Sequence, residues 1–538
     1  MGSEALLFMK SHDHISTRNR NSRFLSCGRL LLLTFIAGVI LSLPSCETVG
    51  VNYATPGSTV PDAWTLSVQS HLNDDAACLS EWWRSFNDPV LNELIARARA
   101  DNPDFQIALQ RIVEARAQRG VAASTLFPNL ETVDSYNRVK RSESSGSVFG
   151  ANPTDVFSTG LSSGWELDVF GGLRRGVESA DAATTSSIEN YRDVLVTLFA
   201  DVALNYIDYR TYEERISVAN RNIGIQKDSL DLAQSRLDAG LVSKIDVTQA
   251  RANLETTNAI VPQLQGQLAA SRNRLASLTG GFPHTVIKLL NSSHQYIPLP
   301  AGKYGMGRPA DLLRARPDVR RAERNLASAV AKIGVAESGL YPRFSLTGML
   351  ELEALDISDL PNASSSAYTF GPSVRWNLFR SGQIKNEIRV EEARSMQAYA
   401  AYEKSVLNAV EEVETSMAGV VTEKVRLSAL RRAVSASEDS VELVKQNYTE
   451  GLVDFQRVID SERVLFQNQD VSVTSKGQIA RNYVGLYRAL GGGAAVEEIP
   501  LPEPTKKPGG GWVRKRPAPY SADALPTKPE NSATTLEE

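Results

Sequence analysis

The sequence predicts an α+β chain in which long antiparallel helical coiled-coil hairpins alternate with four short strands, the whole built from a duplicated unit. Three observations carry this. First, the chain repeats itself: "NPDFQIALQRIVEARAQRGVAASTLFPNL" around Pro103 returns as "RPDVRRAERNLASAVAKIGVAESGLYPRF" around Pro317. The spacing from Pro103 to Pro128 is 25 residues, as is that from Pro317 to Pro342. "WELDVFGG" from Trp165 and "WNLFRSG" from Trp376 are offset by 211, and so are Gly240 and Gly451. Such repetition means two similar structural halves. Second, two long proline-free stretches carry a seven-residue apolar step. Third, segments of about ten residues alternate apolar and polar, the length of a tilted transmembrane strand.

The chain has 538 residues and a net charge of −4, with both signs interspersed. No basic stripe marks a nucleic-acid partner. The five histidines, His12, His14, His71, His284 and His294, show no metal-ligand spacing. No metal and no cofactor are expected.

Residues 1–45 read as a lipoprotein signal peptide. Arg18, Arg20, Arg23 and Arg29 supply positive charge, and Met9 is a second candidate start. The 14-residue apolar run Leu30–Leu43 is too short to span a bilayer comfortably. It ends in Leu43-Pro44-Ser45-Cys46, similar to the bacterial lipoprotein cleavage signal apart from Pro44. Cys46 is the expected acylation site. Several acyl chains on one cysteine anchor stably where one chain is marginal. Only Cys78 would then remain as a thiol. Past Leu43 no stretch of about 18 apolar residues occurs, so any membrane span must use strands. The expected segments are 46–81 (the lipidated start), 82–281 (first repeat), 282–308 (inter-repeat), 309–493 (second repeat) and 494–538, a tail rich in Pro, Gly, Lys and Glu.

No proline occurs from Thr154 to Val261 or from Ser373 to Ile499, which suits long helices. Steps of seven give Ile188, Leu195, Val202, Tyr209, Ile216, Ile223, Leu230 and Leu237. In the second half they give Tyr399, Val406, Val413, Val420, Leu427, Val434, Val441 and Tyr448. A seven-residue repeat held this long implies left-handed supercoiling. The first helix, from about Arg174 to Ala239, would be roughly 100 Å long. Gly240 and Gly451 end the outgoing helices. Return helices carry Val247, Leu254, Val261, Leu268 and Leu275, then Val458, Leu465, Ser472, Ile479 and Leu486. Pro262 predicts a kink. Hairpins of this length exceed one globular bundle core.

Strands are expected at Phe157–Asp168, Phe344–Glu353 and Tyr368–Leu378, where apolar and polar side chains alternate. Leu130–Lys140 alternates poorly and reads as a strand only through its repeat partner. These segments fit either a small soluble sheet packed on helices or membrane strands. Four strands cannot close a barrel, and an open edge cannot sit in lipid. Four strands from each of three chains would make twelve, and two hairpins from each chain would give twelve helices.

"DLLRARPDVRRAERNLASAVAKIGVAESGLYPRFSLTG" from Asp311, "WELDVFGGLRR" from Trp165 and "LYRALGGG" from Leu486 together resemble the TolC-like outer membrane factors, most closely their NodT-type efflux lipoprotein branch. The match spans roughly 82–493. The resemblance implies a homotrimer with one shared twelve-stranded barrel in the outer membrane, a twelve-helix periplasmic tunnel and a belt around it. It further implies a passive exit duct for drugs, metals or toxic compounds. The energy would come from an inner-membrane transporter of RND or ABC type through a periplasmic adaptor.

A duct needs no catalytic group, and no converging polar cluster, Walker-type loop or nucleophile motif is present. The functional end is the pair of hairpin tips. Gly240, Leu241 and Val242, with Gly451, Leu452 and Val453, are the expected turns and adaptor contacts. Charged rings at constrictions gate ions, which makes Asp454, Asp460, Arg457 and Asp246 gate candidates. The family often has acids in this segment; Asp460 matches one such position, and Arg457 stands where some members carry an acid. Asp454 is equally readable as a helix N-cap, and Asp460 as the partner of Arg457 or Arg463. Two alternatives stand beside efflux: an exit duct for secreted polypeptides, and a trimeric coiled-coil lipoprotein without a pore. An enzyme on an extended scaffold would need a polar site that the sequence does not offer.

Overall fold

Alternation and the seven-residue step both translate into backbone. The computed structural model describes residues 48–57, 64–65, 77–140, 142, 152–292, 296–300 and 315–494. The expected signal segment, Cys46, residues 495–538 and part of the inter-repeat stretch lie outside them. Short elements, a turn at Ala77–Ser80 and a 3₁₀ turn at Trp82–Phe86, precede α1 (Pro89–Asp101) and α2 (Pro103–Ser124). Then come β1 (Asn129–Val139), β2 (Thr154–Leu167), α3 (Gly172–Asp238), α4 (Lys244–Leu278) and α5 (Pro283–Leu290). The second half repeats the order as α6 (Pro317–Ser338), β3 (Arg343–Ala354), β4 (Ser366–Arg375), α7 (Gln383–Thr449) and α8 (Phe455–Ala489). Helices α3 and α7 are 67 residues each, and α4 and α8 are 35 each, so the duplication holds to the residue.

The chain forms two compact units. The first contains the described chain up to Pro56, Gln118–Ala183 and Glu323–Ala401. It holds one four-stranded sheet of order β1-β2-β3-β4, antiparallel throughout. The central β2–β3 pairing joins the two repeats, from Phe157 opposite Ala354 to Leu167 opposite Phe344. The register aligns Leu161, Leu350 and Tyr368 across three strands, and likewise Leu167, Phe344 and Val374. Side chains alternate faces along a strand. One face therefore presents Leu161, Trp165, Leu346, Leu350, Tyr368, Phe370 and Val374, all exposed. The other is mostly polar, with hydroxyl pairs Ser135–Ser158 at 2.8 Å and Ser345–Ser373 at 2.7 Å, though Val133, Val139 and Met349 share it, and Asp134, Arg138 and Asp155 interrupt the apolar face in β1 and β2.

β1 forms despite its weak pattern because β2 supplies an unbroken backbone ladder from Asn129–Gly164 to Val139–Thr154. β4 stops at Arg375, three residues short of the expected Leu378. Its partner β3 begins at Arg343, so no backbone groups remain to pair beyond that point. Trp376 instead donates its indole N–H to the Leu340 carbonyl at 3.0 Å, as Trp165 does to Leu126 at 2.9 Å. The paired tryptophans thus mark equivalent strand ends in the two repeats.

The second unit comprises Gly57–Ala117, Thr184–Ala322 and the described chain from Tyr402. Its core gathers Trp82, Phe86, Leu91 and Leu94 against Tyr191, Leu195, Tyr206 and Ile207 of α3 and Tyr483 and Tyr487 of α8. Every seven-step position named for α3, α4, α7 and α8 is buried or half-buried. Helix α4 continues through Pro262.

The turns between outgoing and return helices are near copies. Gly240 has φ +72° and Gly451 has φ +77°. The Leu241 N–H reaches back to the Arg236 carbonyl at 2.9 Å, and Leu452 to Asn447 at 2.8 Å. This six-to-one closure with a left-handed glycine satisfies the last helical carbonyls. A Cβ at Gly451 would meet nothing within 4 Å, so the cost of Gly451→Ala is backbone strain alone. It should destabilise the protein by about 1–2 kcal/mol, read as a lowered thermal or denaturant midpoint with unchanged helix content.

Candidate functional site

The tips are built by capping. Ser243 caps α4 by accepting from the Ile245 N–H at 3.1 Å. Asp454 caps α8 by accepting from the Arg457 N–H at 3.2 Å. The N-cap reading of Asp454 thus has its hydrogen bond, and its carboxylate is also exposed. Asp460 accepts from the Gln456 amide at 2.9 Å and lies 4.0 Å from Arg463, on the same exposed face of α8 as Arg457. The expected alternative partner for Asp460 is therefore Arg463. Asp246 is half-buried in the first turn of α4. Its charge, after burial, helps raise the Tyr448 hydroxyl. Leu241 and Leu452 are exposed at the extreme of each turn, while Val242 and Val453 turn inward. They pack with Ala233, Val247, Ala250, Tyr448, Phe455, Val458 and Ile459, a small apolar cluster drawn from all four long helices.

Just beyond that cluster lies a feature the sequence reading missed. Glu462 of α8 is 2% exposed. Its carboxylate makes a very short bond from the Ser229 hydroxyl of α3, a 3.5 Å contact from the Asn253 amide of α4 and a 3.2 Å ion pair with Lys445 of α7. Lys445 also donates to the Ile225 carbonyl at 3.4 Å, and Arg463 donates to Asn253 at 3.1 Å. One carboxyl therefore touches all four helices. Burial pushes it above its ordinary value; Ser229 and Lys445 pull it back, and Asp228 pushes it further up. The signal was present: Glu462 stands four residues after Val458 and three before Leu465, on the stripe that the helix buries. Farther along α8, Asp470 pairs bidentately with Arg215 at 2.7 and 2.9 Å, Lys476 with Glu214 at 2.9 Å, and Arg481 with Asp208. These half-exposed pairs lace α3 to α8 and contribute little each.

The first unit carries a second unforeseen device, at the start of its described chain. Residues 48–55 lie as a strap across α3 and α6. The Val49 N–H donates to the Phe170 carbonyl at 3.0 Å. Arg175, 3% exposed, donates to the carbonyls of Val49 and Gly50 at 2.9 and 3.0 Å and to Asn52 at 2.7 Å. Thr48 sits so close to Gly171 that a Cβ there would lie 2.6 Å from its methyl group. Gly50 meets Gly334 of α6 equally tightly. Tyr53 and Thr55 both donate to Glu323; burial first, then the Glu323 charge and hydrogen bond, raise the Tyr53 hydroxyl to about 12. Thr48 is two residues after Cys46, and the strap fixes it where β2 gives way to α3. No periodicity in the sequence announces such a strap.

Among the described residues no group of three or more His, Cys, Asp or Glu is placed to hold a metal. No described helix is long and apolar enough to cross a membrane. Removing the Arg175 guanidinium would leave three strap acceptors without their donor. Arg175→Ala should therefore free residues 48–55, seen as faster limited proteolysis before α1 with the remaining fragment pattern unchanged.

Comparison with known proteins places this architecture. The family model described as outer membrane efflux protein matches residues 94–281 and 309–492, one match per repeat and well over half the chain. "Nodulation protein T" of Rhizobium leguminosarum bv. viciae is 31% identical over 462 residues, covering 86% of this chain and 94% of the relative. "Cation efflux system protein CusC" of Escherichia coli K12 is 29% identical over 459 residues, covering 85% and 98%. The solved structure of the outer-membrane channel OprN aligns with a TM-score of 0.77 at 33% identity, over 83% of this chain and all of that one. With its two matched repeats, its four-stranded sheet and its capped helical hairpins, the chain belongs to the outer membrane efflux protein family.

Proposed function

We propose that this protein is the outer-membrane exit duct of a tripartite efflux system. Three copies pool their sheets into one twelve-stranded barrel, and their hairpins line a twelve-helix tunnel into the periplasm. The observation that carries this reading is the sheet: four antiparallel strands with one largely apolar face, one largely polar face and, among the described residues, two unpaired edges. An apolar exterior with a polar interior is how a membrane barrel presents itself. Unpaired edges cannot face hydrocarbon, so the sheet must be continued by further copies.

The duct itself is passive and not an enzyme. An inner-membrane transporter of RND or ABC type supplies the energy, and a periplasmic adaptor grips the tips at Gly240–Val242 and Gly451–Val453, where Leu241 and Leu452 stand exposed. Relatives are named for cation efflux and for toluene efflux, which favours small molecules as cargo. Cys46 carries the acyl chains, and the strap at residues 48–55 ties the described chain that follows it to α3 and α6. Asp454, Asp460, Arg457 and Asp246 form the polar rim of the constriction.

Single-channel recording of the purified, detergent-extracted protein tests the reading: discrete conductance steps are expected, and a monomer with none would remove it. In the same recordings Asp454→Ala with Asp460→Ala should raise conductance; an unchanged value takes these residues out of the gate. Labelled palmitate should be incorporated into the wild-type chain and not into Cys46→Ser.

A further inference from the structure

The Glu462 node lies behind the tip rim, buried, and none of the gate candidates belongs to it. It is the one place among the described residues where a single ionisable side chain contacts α3, α4, α7 and α8 together. Burying a carboxylate is costly unless it is paired and fully hydrogen-bonded. Here the donors are one hydroxyl, one amide at the limit of hydrogen-bond distance, and one lysine whose side chain is 25% exposed. When the carboxyl is neutral, Ser229 and Asn253 still have a partner, and Lys445 keeps the Ile225 carbonyl and its access to water. The node can hold either form: the three donors suit the charge, and because the Ser229 hydroxyl also donates to the Ile225 carbonyl at 3.1 Å, its oxygen can accept the acid proton when burial favours the neutral carboxyl.

We propose that the Glu462 node is an acid-responsive latch on the duct: a protonated Glu462 keeps the four helices of each chain packed and the tip closed, and an ionised Glu462 favours a loosened, hydrated tip that opens more readily. This rests on the duct reading above and adds its regulation. The charged groups that face the node are Asp228 from α3, Lys445 from α7 and, through Asn253 of α4, Arg463 from α8. Burial outweighs the two stabilising partners, so the carboxyl titrates above its ordinary value of 4.5 in the packed state. A group raised in the packed state contributes stability that is complete below its ordinary value and lost as pH rises through the raised one. Acid therefore closes the latch and neutral pH releases it.

The experiment is single-channel recording of the purified full-length protein in planar bilayers, over about pH 5 to 8. Wild-type open probability should fall as pH falls. Glu462→Gln, which carries the shape of the protonated form, should open rarely at every pH and lose the pH dependence. Ser229→Ala removes a hydrogen bond that favours the charged form, so its midpoint should move to higher pH. It also keeps the idea testable should Glu462→Gln fail to fold. A wild-type open probability that is flat in pH overturns the latch, as does an unshifted midpoint in Ser229→Ala or a Glu462→Gln variant that titrates like wild type. A wild-type protein with no conductance at any pH removes the duct reading itself, and the latch with it.

Discussion

The constraint on which the rest depends is an unfinished sheet. β1 and β4 are edges, and each leaves a row of backbone N–H and C=O groups without a strand partner among the described residues. In water such edges are an aggregation hazard. In hydrocarbon each unpaired group costs several kcal/mol. A sheet with Tyr368 and Phe370 among its most exposed side chains is not designed for water. Both problems share one remedy, closure with other copies of the same edges, which abolishes the edge and turns the apolar face outward. The repeat makes this simple: β1–β2 and β3–β4 are equivalent hairpins, already joined to each other in the way one copy must join the next.

The same duplication governs the second unit by a different rule. Four long helices keep apolar side chains on a seven-residue step, which gives a seam and not a globular core. A purely apolar seam of this length would permit helices to slip by a turn. Polar insertions oppose slippage: Asn222 with Gln469, Ser229 and Asn253 with Glu462, and the Arg215–Asp470 pair each have one satisfied register. Such polar contacts, buried or half-exposed, add little net stability and serve specificity of pairing. The tip needs this most, because its apolar cluster is small and its turns are two exposed glycines.

Much of this was legible because it is periodic. The seven-step positions are buried or half-buried without exception, and the helix ends at Gly240 and Gly451 fall within a residue or two of expectation. What was hard to read is what depends on a partner distant in sequence. β1 has a poor pattern of its own and exists because β2 offers a ladder. β4 ends early because β3 starts late. The strap is held by Arg175, more than 120 residues away, through its backbone carbonyls, and carbonyls leave no trace in a sequence. Glu462 was an intermediate case: its place on a buried stripe was visible, and its three partners on other helices were not.

The tip rim shows why charge counting alone misleads about a gate. Asp454 and Asp460 are both exposed, and a tally by sign suggests an acidic ring. The Asp454 carboxylate accepts from the first turn of α8, where the helix dipole favours a negative charge. Asp460 accepts from Gln456 and faces Arg463. On the exposed face of that helix the remaining cation is Arg457, beside the cap. The field around these residues is therefore mixed in sign, and the gate proposed there would discriminate less between cations and anions than a ring of unshared carboxylates.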